Sequence, residues 1–217
     1  MVWLVPLLVT AAAVAVWLTV VPRVRIPVDD PDDPPPHFPG LPTTPRTVAL
    51  IVAALATSQV LHLLPPEQWW LWAAYLAVGA PLVLVDALTT WLPRRLHLLL
   101  VAAMLPGLAW LAVVDWRTAL GALAGGLAGF LVLFVAWRVG SGLGFGDVRL
   151  AAPMGAVAGA GGVQQWFHSL LAATAIGAVW AVIHQLRRRT SQDLPAHFPY
   201  GPALWLGPLV GVALSAV

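Results

Sequence analysis

The chain has 217 residues, of which 60% are hydrophobic and 9% are charged, and its mean hydropathy is +0.86. Soluble domains carry about 25% charged residues, so this composition indicates an integral membrane protein without a separate soluble domain. The formal net charge is +2. The chain contains no cysteine, which excludes disulfide scaffolds, zinc–thiolate sites and thiol nucleophiles.

The first 21 residues are apolar and have the length of a signal peptide. No positive charge precedes this stretch, whereas Arg23 and Arg25 follow it. A cleavable signal peptide carries its charge in front. The pattern therefore predicts a retained first helix with its N-terminus outside the cell.

Residues 22–47 interrupt the apolar pattern. They contain four aspartates and three consecutive prolines, at Asp29, Asp30, Asp32, Asp33 and Pro34 to Pro36. Proline together with like charge predicts an extended, solvated loop. The aspartates lack the glycine and the distal glutamate of an EF-hand, so they do not indicate a calcium site. We interpret 1–217 as a single membrane-embedded domain in which this acidic loop faces the cytoplasm.

Seven further apolar segments follow and predict an all-α, polytopic fold with about eight transmembrane helices. They lie at about 48–64, 69–90, 96–114, 118–137, 148–163, 167–186 and 200–216. The sixth of the eight segments, 148–163, is less apolar than the others, because it contains Arg149, Pro153 and many small residues. Its glycines, and the Gly121, Gly125 and Gly129 series of the fifth segment, predict close helix packing.

The arginines test this topology, because cytoplasmic loops of membrane proteins are enriched in positive charge. Ten of the eleven arginines fall in or beside the loops after the first, third, fifth and seventh helices, and only Arg117 lies on the opposite side. This distribution predicts eight spans with both termini outside. It indicates membrane topology rather than binding to nucleic acid.

The other acidic residues lie in loops or short connections, but Asp86 and Asp147 do not. Asp86 lies eight residues before Arg94, about 12 Å along a helix, so it is inside the membrane or at its cytoplasmic boundary. Asp147 ends a run of alternating glycines and begins the sixth segment, on the same side. An N-cap would explain Asp147 alone, and a polar packing contact would explain Asp86 alone.

Two carboxyls at one membrane depth can also share a site. If they lie close together, they do not both ionise readily, so one keeps a proton while the other stays charged. The charged carboxyl can then take a proton from water while the neutral one polarises a scissile carbonyl, which is the chemistry of aspartic proteolysis.

The run Gly144-Phe145-Gly146-Asp147-Val148-Arg149-Leu150 resembles the GFGDVKL-type signature of the type IV prepilin peptidases, membrane aspartic proteases with a GxGD motif. The earlier Asp86, the pair Leu92-Pro93 and the late stretch 198–204 are similar to family features as well. The resemblance covers about residues 70–217.

The resemblance implies an aspartic endopeptidase of the bacterial inner membrane. It would cleave the leader from prepilins or prepilin-like secretion and competence proteins at the cytoplasmic boundary. Asp86 and Asp147 would be the catalytic pair. Gly142, Gly144, Gly146 and Arg149 would support the catalytic loop, with Arg149 standing where the family usually has lysine. No cofactor is implied, and the partners are prepilin or pseudopilin precursors and the lipid bilayer.

The N-terminal part of the chain differs from that of many family members. Many members have a larger cytoplasmic domain there, with two CxxC pairs that bind zinc, and they N-methylate the new N-terminus. Residues 22–47 are short, acidic and free of cysteine. The zinc site is therefore expected to be absent, and N-methyltransferase activity is in doubt. The six histidines show no HxxxH or HExxH spacing, so no metal site is expected.

Two other functions fit some of these residues. A presenilin-like intramembrane protease also uses GxGD, and Pro202-Ala203-Leu204 matches its PAL motif, but Val85 stands where that family has tyrosine. A cation or proton transporter would also need two buried acids, although no inverted repeat is evident.

Overall fold

The computed structural model describes residues 3–26, 35–140, 142–190 and 198–216. Within these ranges the chain forms eight α-helices and no strand, which confirms the predicted all-α fold. The helices are α1 Leu4–Thr19, α2 Thr44–Ser58, α3 Trp69–Thr89, α4 Arg94–Val114, α5 Trp116–Val139, α6 Phe145–Ala160, α7 Val163–Thr190 and α8 Gly201–Ser215.

Six helical segments of the described chain are long and apolar enough to cross a membrane. These are Leu4–Arg23, Thr44–Leu63, Pro66–Thr89, Arg94–Val114, Trp116–Val139 and Val163–Arg189. The remaining two, α6 and α8, have 16 and 15 residues. At about 1.5 Å per residue they are shorter than the roughly 30 Å hydrocarbon core. Of the eight predicted spans, six have the full length.

The predicted loop at 22–47 has structure at both ends. A 3-10 turn at Val21–Arg23 follows α1, a second lies at Phe38–Gly40, and α2 already begins at Thr44, with a proline in its first turn. Val24, Phe38 and Leu41 are buried. The four aspartates of the loop lie outside the described residues.

The central helix is α3. In the most apolar stretch of its span, 72% is buried inside the protein. In the other five spans the buried share of that stretch is between 17% and 33%. Helices α1, α2, α4, α6 and α8 all pack against it. A polar side chain on α3 is therefore enclosed by protein rather than by lipid.

Two contacts fix α8 against α3. The Tyr75 hydroxyl donates a hydrogen bond to the Trp205 carbonyl oxygen at 3.0 Å, in a buried position. One helical turn later, Gly79 lies so close to the Trp205 indole that a Cβ there would be 2.5 Å from Nε1. These contacts set the height at which the N-terminus of α8 meets α3.

Helices α5 and α6 form a tight hairpin through their glycines, as predicted. A Cβ on Gly125 would overlap the carbonyl oxygen of Gly155, and a Cβ on Gly159 would overlap that of Gly121. A Cβ on Gly129 would be 2.5 Å from the Ala151 oxygen. Because the two backbones are in contact, the start of α6 is held in place by α5.

Candidate active site

Asp86 lies in the last turn of α3 and is only 3% exposed. Its Oδ2 accepts a hydrogen bond from the backbone N–H of Gly201, at 2.9 Å. The helix ends three residues later because Thr90 takes a left-handed conformation with φ 59°. The carboxyl is thus held at the end of the central helix, next to the turn that leads into α4.

The donor to Asp86 is the start of α8. Gly201 is the first residue of that helix, and Pro202 after it has no N–H. The first N–H groups of a helix have no partner within the helix and carry a partial positive charge. The N-terminus of α8 therefore supplies both a hydrogen bond and a favourable dipole to this carboxyl.

Asp147 is the third residue of α6 and is 8% exposed. The helix begins at Phe145, three residues before the predicted start, because Gly144 is extended and acts as the N-cap. Asp147 is therefore not the N-cap residue itself, but its carboxylate does cap the start of the helix. Its Oδ2 accepts a hydrogen bond from the Gly144 N–H at 3.2 Å, which closes the first turn as a capping box.

The fold brings these two carboxyls together. Asp86 and Asp147 are close enough to interact electrostatically, although 61 positions separate them in the chain. Neither forms an ion pair within the part of the chain that the structure describes. Two enclosed acids without a cationic partner are costly for stability, and such groups are typical of functional sites.

The connection between α3 and α4 touches the start of α6. A Cβ on Gly146 would be 2.8 Å from the Cβ of Leu92, so only glycine allows this approach. Gly140 and Gly142 have positive φ angles of 92° and 75°, which favour glycine and turn the chain from α5 into α6. The alternating glycines thus have distinct roles in placing Asp147 near α3.

Arg149, predicted to support the catalytic loop, faces α4. Its electrostatic neighbours are Arg94 and His97, and its guanidinium carbon lies 5.7 Å from the centre of the Phe145 ring. Its Nε is buried and has no hydrogen-bond partner among the described residues. The residue, two positions after Asp147 in the chain, therefore lies against α4.

A groove of about 470 Å³ opens next to Asp86. The end of α3 forms one wall, with Ala87 and Thr90. The outer turns of α7 form the other, with Trp180 and Ile183, and Pro199 closes one end. Neither acid lines the groove, but its walls include Ala87, which follows Asp86, and Pro199, which lies two residues before Gly201.

Asp115 provides a contrast, because it lies between two spans and has a complete local explanation. It caps α5, and its carboxylate accepts hydrogen bonds from the backbone N–H groups of Arg117 and Thr118 and from the Thr118 hydroxyl. Hydrogen bonds from Thr118 lower the pKa of Asp115 below its ordinary value. This acid is a helix cap and does not belong to the site.

Sequence reasoning did not identify several neighbours of the acids. The backbone of Gly201, the ring of Tyr200, which interacts electrostatically with Asp147, and the Leu92 contact all come from other parts of the chain. The sequence indicates the stretch 198–204 only through its resemblance to family features. The Gly-Pro pair at the start of an apolar helix is a sequence signal for the Gly201 contact. Proline has no N–H, so the glycine N–H is the donor that this helix start offers to another group.

One family model matches the chain. It is the type IV leader peptidase family, and the match extends over residues 73–182, which include both Asp86 and Asp147. Neither a curated protein nor a solved structure matches the chain. The match covers 110 of the 217 residues and includes α4, α5 and α6 in full, with most of α3 and α7. The chain therefore belongs to the type IV leader peptidase family, a family of membrane peptidases.

Proposed function

We propose that this protein is an aspartic endopeptidase that cleaves the leader peptide from type IV prepilins or prepilin-like proteins. Asp86 and Asp147 are the catalytic pair. The proposal is supported by two nearly buried carboxyls on different helices that are near enough to interact electrostatically and that form no ion pair among the described residues.

The proposed reaction uses both carboxyls. In a close pair of enclosed carboxyls, one keeps its proton while the other is charged. The charged carboxyl takes a proton from a water molecule, whose oxygen attacks the scissile carbonyl carbon. The neutral carboxyl donates a hydrogen bond to the carbonyl oxygen, and a proton then passes to the leaving nitrogen as the C–N bond breaks.

The backbone donors keep the two carboxyls in place. Gly201 donates to Asp86 and Gly144 donates to Asp147, each through a single N–H at the start of a helix. One oxygen of each acid therefore has a fixed partner, while the other is available to water or substrate. Such preorganisation reduces the reorganisation needed in the transition state.

The groove beside Asp86 is the place we propose for the substrate chain. A prepilin-like precursor has a charged leader followed by an apolar helix, so its cleavage site lies at the membrane boundary. The apolar side chains of Trp180 and Ile183 suit the start of that helix. We further propose that the arginine-rich face is cytoplasmic, that both termini lie outside, and that the protein resides in the bacterial inner membrane.

The proposal is tested with purified protein in lipid vesicles and a precursor that carries a short basic leader before an apolar helix. Intact mass spectrometry of the products should show one cut at the junction of leader and helix. The mass of the mature product also shows whether its new N-terminus is methylated. A cut within the apolar helix would instead support a presenilin-like protease. No cut, with cation flux in the same vesicles, would support a transporter.

Substitution of Ile183 by tryptophan should weaken substrate binding, because the larger side chain occupies the groove. We expect KM to rise about tenfold, equivalent to about 1.4 kcal/mol, with kcat nearly unchanged. Val179→Trp is the matched control, since Val179 lies one turn earlier on α7, is also exposed and does not line the groove. Equal KM values for both variants would place the substrate elsewhere.

A further inference from the structure

Four aromatic rings form a continuous row from the end of α5 into the first turn of α6. Phe130, Phe134 and Trp137 lie on one face of α5, and Phe145 is the first residue of α6. Successive ring centres are 5.8, 5.7 and 5.1 Å apart. Aromatic rings at such distances attract each other beyond the effect of the area that they bury. This row, which we call the aromatic ladder, therefore joins the two helices across the glycine-rich connection 140–144.

The Phe145 ring at the end of the ladder has two partners. Trp137 meets it edge to face, with 63° between the ring planes. The guanidinium carbon of Arg149, one turn further along α6, lies 5.7 Å from the centre of the same ring. A cation within about 6 Å of a ring centre is attracted to the ring. Phe145 is therefore held by a side chain of α5 and by one from the next turn of its own helix.

Asp147 lies in the middle of this arrangement, two residues after Phe145 and two before Arg149. The close glycine contacts between α5 and α6 end one turn further along α6, where a Cβ on Gly129 would be 2.5 Å from the Ala151 oxygen. From there towards the connection, α5 contains no glycine before its C-cap. Side chains of α5, with the ladder among them, therefore support α6 at the height of Asp147.

The connection before Asp147 makes such support necessary. It has glycines at 140, 142, 144 and 146. Glycine loses more conformational freedom on folding than any other residue, so the first turn of α6 is costly to order. Contacts that fix Phe145 offset part of this cost, and through the backbone they restrict the position of the carboxyl two residues later.

We propose that Trp137 and Phe145 are positioning residues that hold the Asp147 carboxyl in place beside Asp86. This inference rests on the proposed catalytic role of the two acids. It assigns to Trp137 a task that differs from that of an interfacial tryptophan at the end of a span, which contacts lipid head groups and does not depend on Phe145.

The first test measures kcat and KM of Trp137→Leu with the basic-leader precursor in vesicles. Leucine leaves part of the ring volume empty, so the first turn of α6 shifts towards α5. A displacement of about 1 Å in a catalytic group lowers a rate about a hundredfold. The contacts of Gly144 and Leu92 still hold the turn, so we expect kcat to fall only about tenfold, with KM little changed. Trp137→Phe keeps a ring at this position and should stay within about threefold of the normal kcat.

A double-mutant cycle shows whether the two rings act through each other. Phe145→Leu removes the contacts to both Trp137 and Arg149, so kcat should fall about thirtyfold. The double variant Trp137→Leu/Phe145→Leu should be no slower than Phe145→Leu alone, because the effects of residues in contact do not add. Independent effects would multiply to about 300-fold, and that result would overturn the proposal.

Trp116→Leu is the matched control, since it makes the same change at the other end of α5. Trp116 is 59% exposed, and the Arg117 guanidinium carbon lies 5.7 Å from its ring centre. The variant should change kcat by less than about twofold, because this ring is remote from the start of α6. A loss as large as that of Trp137→Leu would point to a general effect of interfacial tryptophans and would contradict the proposal.

Backbone hydrogen exchange gives a readout that does not require cleavage. In Trp137→Leu, residues 143–150 should exchange about fivefold faster than in the unmodified protein, because the ring contact stabilises the ordered turn. Trp116→Leu should leave this segment unchanged. If the exchange result holds but the unmodified protein cuts no precursor, the proposed function fails while the rings still position Asp147. If exchange in Trp137→Leu is unchanged, the inference is overturned whatever the cleavage result.

Discussion

Asp86→Asn and Asp147→Asn are each expected to abolish cleavage of a prepilin-like precursor. Asparagine preserves the shape of the side chain and can still accept the N–H of Gly201 or Gly144, but it does not exchange a proton. Loss of a general acid or base reduces a rate by about 10²–10⁴-fold. The measurement is the rate of product formation in vesicles at equal protein abundance.

Asp115→Asn is the control for this experiment. Asparagine is as good a helix cap as aspartate, so α5 should remain intact and cleavage should proceed at the normal rate. If the two site variants still cut as fast as this control, the protein remains a peptidase, but the choice of catalytic residues is wrong. If only one of them is inactive, the other acid does not take part in proton transfer.

Gly201→Ala is the second change with a large expected effect. A Cβ at this position would lie 2.6 Å from Oδ2 of Asp86 and 3.2 Å from its carboxyl carbon. Either the carboxyl or the start of α8 must move to accommodate it. A displacement of about 1 Å in a catalytic group lowers a rate by about a hundredfold, so we expect a loss of that order in kcat, with KM little changed.

The matched control is Gly126→Ala, which adds the same methyl group inside α5, where the nearest atom is the Ala152 oxygen at 3.1 Å. Both variants should fold, as judged by their apparent unfolding temperatures in detergent. Because Gly201 acts on Asp86 through its position, the split between kcat and KM separates this role from a general loss of structure. A Gly201→Ala variant with normal kcat would show that the α8 N-terminus does not position the carboxyl.

The sequence alone was sufficient to predict the helices, and it also drew attention to Asp86 and Asp147 as candidate site residues. Apolar segments of about 20 residues predicted all eight helices, and α4 and α5 differ from their predicted bounds by at most two residues. Asp86 and Asp147 were identified because an acid within or beside an apolar segment is costly without a purpose. Hydropathy and charge are local properties of the chain, so they can be read without knowledge of the fold.

Only the tertiary structure decided which groups surround the acids. The hydrogen bond from Gly201 to Asp86 joins positions 115 residues apart, and the approach of Leu92 to Gly146 joins the connection between α3 and α4 to the first turn of α6. Such neighbours depend on how the helices pack around α3. That packing results from many contacts summed over the whole chain, so no single segment encodes it.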